Sequence, residues 1–222
     1  MSIVNGRWEK LMVNQAKNVV EFYVLCNKLK NVIRTGWMDW HVSKDRLESV
    51  AEHIYGVQML AIAMWSEYKY EIDIKKVILM LAVHELEEIK IGDLTQFQIS
   101  KEEKKIIGHQ AVKEVLSHIT EAKYIEDIIL EYDARETKES KFASLCDKLE
   151  CGIQCRLYDE EGLVDVHDVK NKLNFHDNDV LKMLEEGYSW SEMWMTFGQK
   201  KYNYDENFLE VGNYAKSNRI SK

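Results

Sequence analysis

The chain has 222 residues, but it contains no proline and only ten glycines. Proline and glycine are the residues that most often end helices and form tight turns. Apolar residues recur at helical spacing through most of the sequence, and no alternating apolar and polar run is long enough to propose a strand. The sequence therefore predicts an all-α fold.

The apolar spacing predicts nine helices. The first ends near Ile33, and Ser100 with Glu103 forms a capping box at the start of the fourth. Beyond Gly162 the helices become shorter and rich in aromatic residues, and for the Trp190–Trp194 run we expect core or subunit packing, with a lid over a site as the alternative. The other eight predicted helices cover residues 48–68, 74–90, 100–119, 121–132, 138–158, 178–186, 189–200 and 205–216.

Charge and cysteine content restrict the partners and the compartment. The net charge of −8 provides no general basic field, which argues against a nucleic-acid polymer as partner. A small anionic substrate would need local cations or a metal. No apolar run approaches the length of a membrane span and the N-terminus lacks the shape of a signal peptide, so we expect a cytoplasmic protein with no membrane partner. The four cysteines are Cys26, Cys146, Cys151 and Cys155, and they form no CxxC pair.

The spacing of the cysteines favours free thiols in a reducing cell over a disulfide framework. Cys151 and Cys155 are four residues apart on one predicted helix, so zinc binding by this pair is an alternative.

Several ionisable residues interrupt helices that are otherwise apolar. His53, His84 and Asp147 each fall at positions that point inward, next to apolar residues at helical spacing. Taken singly, each has an ordinary explanation, such as a hydrogen-bonded histidine or an aspartate paired with Arg156. Together they are less ordinary, because inward ionisable groups are costly unless they are paired or bind a metal. Two imidazoles and two carboxylates would suit a divalent transition ion and leave positions open for water and substrate.

Six segments of the sequence resemble HD-domain phosphohydrolases, particularly their 5′-deoxynucleotidase and oxetanocin-like branch. They occur in the order of that family and cover about residues 28–158. The segments are LKNVIRTGW, RLESVAEH, HELEEIKIGDLT, KEEK, EYDARETKESKF and DKLE. The resemblance implies an HD-domain helical bundle at residues 1–160, with a C-terminal helical extension at residues 161–222 packed on the same domain.

The resemblance also implies a site. Its metal ligands would be His53, His84, Glu85 and Asp147, holding a divalent ion such as Mn, Co, Fe, Mg, Ni or Zn. Two acids, Glu88 and Asp93, would be catalytic. Arg34 would hold the substrate phosphate and Trp37 would be the aromatic residue near it, although packing is an equal alternative for this tryptophan. Members of the branch are often homodimers, and we expect the same here.

One position departs from the family pattern. The second carboxylate position carries Glu85 where the family has aspartate, so the side chain is longer by one methylene. Glutamate is a competent ligand in other metal sites, which favours a retained but altered site. A weakened or lost metal site is the alternative.

The expected activity is hydrolysis of a nucleotide phosphomonoester, with a nucleoside or deoxynucleoside 5′-monophosphate as the first substrate. Two other functions stay open: a nucleotide-binding or scaffold protein that kept the fold and lost turnover, and a hydrolase of another phosphoester such as a signalling nucleotide.

Overall fold

The computed structural model describes residues 2–95, 98–168 and 178–221, with the side chains of residues 2–13 and 178 excepted. In these ranges it is all-α, and the only extended pairing is an isolated antiparallel bridge between Ile33 and Ser49. A 3-10 helix lies at Asn27–Asn31. The α-helices are α1 (Ser2–Cys26), α2 (Thr35–Asp39), α3 (Val50–Tyr68), α4 (Ile74–Val83), α5 (Glu88–Ile91), α6 (Lys101–Val115), α7 (Ala122–Ala134), α8 (Lys138–Glu160), α9 (Asn178–Glu185), α10 (Trp190–Lys201) and α11 (Glu206–Ser217).

Seven of the nine predicted helices are found within one to four residues of their expected ends. The prediction of one helix over residues 74–90 is wrong, because α4 ends at Val83 and α5 begins only at Glu88. At this break, His84 Nδ1 lies 2.8 Å from the carbonyl oxygen of Leu81. Such local bonds from side chain to backbone compete with the helical ladder. The first helix ends at Cys26 and passes into the 3-10 helix instead of reaching Ile33.

The long helix α8 forms the centre of the fold, with α3, α4, α7, α10 and α11 packed around it. Local signals explain where the site helices begin. Ser49 and Glu52 form a capping box at the start of α3, and the Thr137 hydroxyl accepts a hydrogen bond from the Ser140 amide at the start of α8. The capping box predicted at Ser100 is confirmed at the start of α6.

An aromatic cluster joins the C-terminal helices to the rest of the fold. Trp190 is 2% exposed, and its ring lies 6.1 Å from that of Trp37 and 6.0 Å from that of Trp194. Core packing is therefore confirmed for the Trp190–Trp194 run. Since α10 and α11 both pack on α8, the C-terminal helices share its core, while the domain boundary at residue 160 stays a prediction.

Among the helices of the described ranges, none has both the length and the apolar character of a membrane span.

Candidate metal centre

Four side chains from separate parts of the sequence meet beside α8. They are His53 of α3, His84 at the end of α4, Glu85 after it, and Asp147 of α8. One candidate ligand atom from each lies within 4.8 Å of the candidate atoms of the other three. The fold thus brings together the four residues that the resemblance implied as ligands, across nearly a hundred positions of sequence.

The two histidines leave one nitrogen each directed into this cluster. The Nε2 atoms of His53 and His84 are buried and have no hydrogen-bond partner among the described residues. The two rings lie 5.7 Å apart between centroids. A buried polar atom without a partner is costly, and two of them facing two carboxylates fit a divalent cation. The donor set therefore suits the metal that the sequence indicated.

His53 is held from its other side by Glu150. The Nδ1 atom of His53 lies 2.6 Å from Oε2 of Glu150, one turn after Asp147 on α8. Burial and the charge of Arg34 act to lower the pKa of His53, but the nearby carboxylates of Asp147 and Glu150 outweigh them and raise it to about 9. A carboxylate at Nδ1 fixes the ring and leaves Nε2 as the ligand atom.

Asp147 is 3% exposed and is held by two donors. Its Oδ2 accepts hydrogen bonds from the Tyr132 hydroxyl at 3.0 Å and from Lys148 Nζ at 2.7 Å, while Oδ1 lies 3.2 Å from His53 Nε2. Burial acts to raise the pKa of Asp147, but the positive charge of Lys148 and the nearby histidines keep it well below its usual range. Asp147 therefore presents one oxygen to the cluster as a carboxylate.

Glu85 reaches the cluster despite its longer side chain. Its Oε1 lies 3.5 Å from His84 Nε2, 4.0 Å from His53 Nε2 and 3.7 Å from Arg34 Nη1. Burial acts to raise the pKa of Glu85, but His84 and Arg34 lower it below its usual value. The carboxylate thus lies between the two imidazoles and the guanidinium.

Arg34 and Trp37, the two residues expected at the substrate, lie in different surroundings. Arg34 is partly buried beside Glu85, and its Nη2 donates a hydrogen bond to Cys151 Sγ at 3.1 Å. Trp37 is 2% exposed, and its Nε1 donates to Glu48 Oε2 at 2.8 Å. This geometry favours the packing alternative for Trp37, and a substrate contact by it stays a prediction.

Glu88 lies almost fully buried close to the cluster. Its Oε1 is 3.2 Å from Lys104 Nζ, and its Oε2 has no partner among the described residues. Burial, together with the charges of Glu85 and Asp93, raises the pKa of Glu88 to about 11. Glu88 is therefore a carboxyl group that binds a proton readily and keeps one oxygen available.

Asp93 connects the loop after α5 to the segment that carries Arg34. Its Oδ2 accepts a hydrogen bond from the Thr35 amide at 2.7 Å, and its carbonyl oxygen accepts one from the Thr35 hydroxyl at 2.5 Å. These bonds fix the backbone next to Arg34, so Asp93 positions the arginine in addition to any role it has with a proton.

Four residues with clear contacts in the site were given no role in the sequence analysis: Glu150, Tyr132, Lys148 and Lys104. The signal for Glu150 and Lys148 was present in DKLE, where both follow Asp147 on the same helix. Zinc binding by Cys151 with Cys155 gains no support, because no candidate metal group in the described ranges contains both cysteines.

Known proteins share much of this sequence. The family model for the HD domain matches residues 26–189. The 5′-deoxynucleotidase HDDC2 of Dictyostelium discoideum is 33% identical over 164 residues, covering 70% of this chain and 83% of that protein. The protein of the same name from Danio rerio is 29% identical over 179 residues, covering 76% and 85%.

Solved structures show the same fold. A conserved hypothetical protein from Pyrococcus furiosus superposes with a TM-score of 0.56 at 28% identity, covering 75% of this chain and 97% of that one. A predicted metal-dependent phosphohydrolase from Magnetospirillum magnetotacticum MS-1 gives a TM-score of 0.56 at 21% identity, covering 92% and 93%.

Proposed function

The chain belongs to the HD-domain family, and from that premise we propose that it is a metal-dependent phosphohydrolase acting on nucleoside or deoxynucleoside 5′-monophosphates. The observation that carries the proposal is the pair of buried Nε2 atoms of His53 and His84, which lack partners and face the carboxylates of Glu85 and Asp147. The substrate class is supported by relatives that are named 5′-deoxynucleotidases.

The ligands in this proposal are His53, His84, Glu85 and Asp147. Two imidazoles favour a transition ion or zinc over magnesium, and we infer a divalent ion from the group Mn, Co, Fe, Ni and Zn, with Mg the least suited. When bound, such an ion lowers the pKa of a water and polarises a phosphoryl oxygen.

Arg34 is the proposed phosphate-binding residue. Its guanidinium lies 3.7 Å from Glu85, so it borders the cluster, and its planar donors suit the oxygens of a phosphate. The overall charge of −8 makes such a local cation necessary for an anionic substrate. The hydrogen bonds from Thr35 to Asp93 keep this segment in place.

Glu88 is the proposed proton acceptor for the water that attacks phosphorus. Its buried carboxyl keeps one oxygen without a partner in the described ranges. The positive charge of a bound divalent ion would favour the carboxylate form that general base catalysis needs. Lys104 holds the other oxygen and so orients the group. Asp93 is the second candidate for relaying the proton, although its carboxylate already accepts the Thr35 amide.

We propose further that the protein is a cytoplasmic homodimer that binds no nucleic-acid polymer. The free thiols of all four cysteines support the compartment. An apolar stripe on the outer face of α3 supports self-association: Tyr55, Met59, Ile62 and Trp65 are 65%, 42%, 40% and 37% exposed, at helical spacing. Sedimentation equilibrium of the purified protein checks the dimer, and a monomer at all concentrations contradicts it.

The activity is tested by loading the purified protein with Mn²⁺ or Co²⁺ and measuring phosphate release from a panel of deoxyribonucleotides, ribonucleotides and other phosphoesters. We expect release from 5′-monophosphates that ends when the ion is chelated and that His84→Ala abolishes. His109→Ala is the matched control, because its imidazole pairs with Asp133 outside the site.

Two outcomes separate the alternatives. A protein that binds nucleotide but has no metal and gains no activity from added ions is the binding protein without turnover. Phosphate release that survives both chelation and His84→Ala contradicts the metal mechanism.

A further inference from the structure

A cavity of about 570 Å³ lies at the start of α8, beside the end of α3 and the segment before α11. None of the four proposed metal ligands lines it, and neither does Arg34. Five cationic side chains do: Arg135, Lys138, Lys141, Lys148 and Lys201. This concentration of positive charge stands out in a chain whose net charge is −8.

Among the described residues that line the cavity, Asp205 is the one carboxylate, and it accepts several hydrogen bonds. Its Oδ1 accepts hydrogen bonds from the Asn207 and Phe208 amides at the start of α11. The Tyr70 hydroxyl donates to the same carboxylate at 2.8 Å. Asp205 therefore supplies one negative charge against the five cations of the lining.

The five cations at the cavity differ in how far the protein neutralises them. Lys148 pairs with the carboxylate of Asp147. Within the described ranges, Arg135 and Lys141 have no carboxylate at ion-pair distance. Lys138 donates to the neutral carbonyl oxygen of Glu71. Cations gathered in this way repel one another, so an anion that neutralised them would be bound favourably.

Part of the cavity wall is aromatic, formed by the partly exposed rings of Tyr70 and Tyr202. The buried rings of Phe142 and Phe208 support Tyr70, with the rings of Tyr70 and Phe142 4.7 Å apart and those of Phe142 and Phe208 5.6 Å apart. The volume falls in the range of small-molecule sites, and aromatic walls with a few charged groups are their usual composition. The positive end of the α8 dipole at Lys138 adds to the attraction for an anion.

We propose that this cavity binds a small anion that carries several phosphate groups, such as a nucleoside triphosphate. The cations hold the phosphates through charge-assisted hydrogen bonds, and the aromatic wall accepts an apolar or heterocyclic part. The site is separate from the proposed catalytic cluster.

Lys148 connects the cavity to that cluster. Its side chain lines the cavity while its Nζ lies 2.7 Å from Asp147 Oδ2. An anion that draws Lys148 towards itself changes how Asp147 is held, so occupancy of the cavity and metal binding affect each other reciprocally. Because Lys148 contacts a proposed ligand, variants that test the cavity should leave it unchanged.

The proposal is tested by isothermal titration calorimetry of the full chain in excess chelator. The probes are tripolyphosphate, ATP, AMP and adenosine. Arg135→Gln with Lys141→Gln removes two exposed cations of the cavity. Lys105→Gln removes an exposed lysine of α6 that does not line the cavity, and Arg34→Gln removes the proposed phosphate-binding residue of the cluster.

We expect the wild type to bind tripolyphosphate and ATP more tightly than AMP, and adenosine most weakly. The double variant should bind ATP at least roughly tenfold more weakly, because each charge-assisted bond contributes substantially. Both single variants should keep the wild-type affinity. Three results overturn the proposal: no binding of tripolyphosphate or ATP at millimolar concentration, equal affinity in the double variant, or a loss that follows Arg34→Gln instead.

Discussion

The imidazole of His53 lies between two carboxylates of α8, with Nδ1 2.6 Å from Glu150 Oε2 and Nε2 3.2 Å from Asp147 Oδ1. Glu150 and Asp147 are three residues apart, so a single helix face supplies both a metal ligand and the group that orients another ligand. The histidine itself comes from α3, and its position depends on the packing of α3 against α8.

Loss of the Glu150 carboxylate should weaken metal binding without removing a ligand. We expect Glu150→Gln to lower the affinity for Mn²⁺ by roughly 10–100-fold, because the orienting partner of His53 is weakened. Glu161→Gln, at an exposed position just after α8, is the control and should change nothing. Metal affinity is measured by competition with a chelator. An unchanged affinity in Glu150→Gln would show that His53 needs no such partner.

A small change on α3 should act through the same carboxylate. A Cβ added at Gly56 would lie 2.6 Å from Glu150 Oε1, so Gly56→Ala must displace that side chain. We expect weaker metal binding in Gly56→Ala and no further effect when the same change is made in Glu150→Ala, because the two residues act as one unit. Gly198→Ala, whose Cβ would meet only an ordinary contact with Tyr202, is the control. Additive effects of the two changes would contradict this coupling.

Glu88 should be needed for turnover and not for metal binding. Glu88→Gln keeps an acceptor for Lys104 but cannot accept a proton from water, so we expect kcat to fall by roughly 10²–10⁴ with metal content unchanged. Its neighbour provides the control. Glu87→Gln should keep the wild-type rate, because Glu87 lies beside Gly108 of α6 and is not among the residues that could hold the ion. Full activity in Glu88→Gln would show that another group accepts the proton, and Asp93 would be the next candidate.

The contribution of Glu160 to the stability of the fold should be lost in acid. Its carboxylate accepts hydrogen bonds from the Ile220 and Ser221 amides and pairs with Arg156. Burial acts to raise its pKa, but these partners lower it from 4.5 to about 2. The stabilisation is therefore complete above the ordinary pKa of glutamate and is lost as the pH falls towards the folded value.

Urea unfolding of Glu160→Gln checks this sign. We expect the variant to be less stable than the wild type by about 1 kcal/mol near neutral pH, and the difference to narrow at about pH 4 and below. Glu161→Gln, which loses only an exposed ion pair with Lys44, should be close to wild type at all pH values. A difference that stays constant with pH would show that the Glu160 charge is not involved.

The helices of the site could be predicted because local signals and apolar spacing agree. Apolar residues one turn apart mark the inner face of α3, and Ser49 begins the helix. The same spacing placed His53 and Asp147 inward, which is how two residues almost a hundred positions apart became candidates for one site. Ionisable residues on the apolar face of a predicted helix can be recognised from one sequence without a structure.

What could not be predicted depends on tertiary contacts. Glu150 is a charged helix residue like many others, and only the approach of α3 brings His53 to it. Glu87 belongs to an acidic run with Glu85 and Glu88, which is typical of a solvated helix end, yet it is half-buried, and a Cβ at Gly108 would lie 3.4 Å from its Cγ. The end of α4 at Val83 likewise depends on where the His84 ring finds a hydrogen bond.

The central claim is that Glu85, with its longer side chain, still completes a metal site that supports hydrolysis. The most direct test titrates metal-free protein with Mn²⁺ while phosphate release from a deoxynucleoside 5′-monophosphate is recorded, for the wild type and for Glu85→Gln. We predict no release without the ion, saturating release in the wild type, and a midpoint at least roughly tenfold higher in the variant. Release from the metal-free protein at the wild-type rate, or an unchanged midpoint in Glu85→Gln, would contradict the claim.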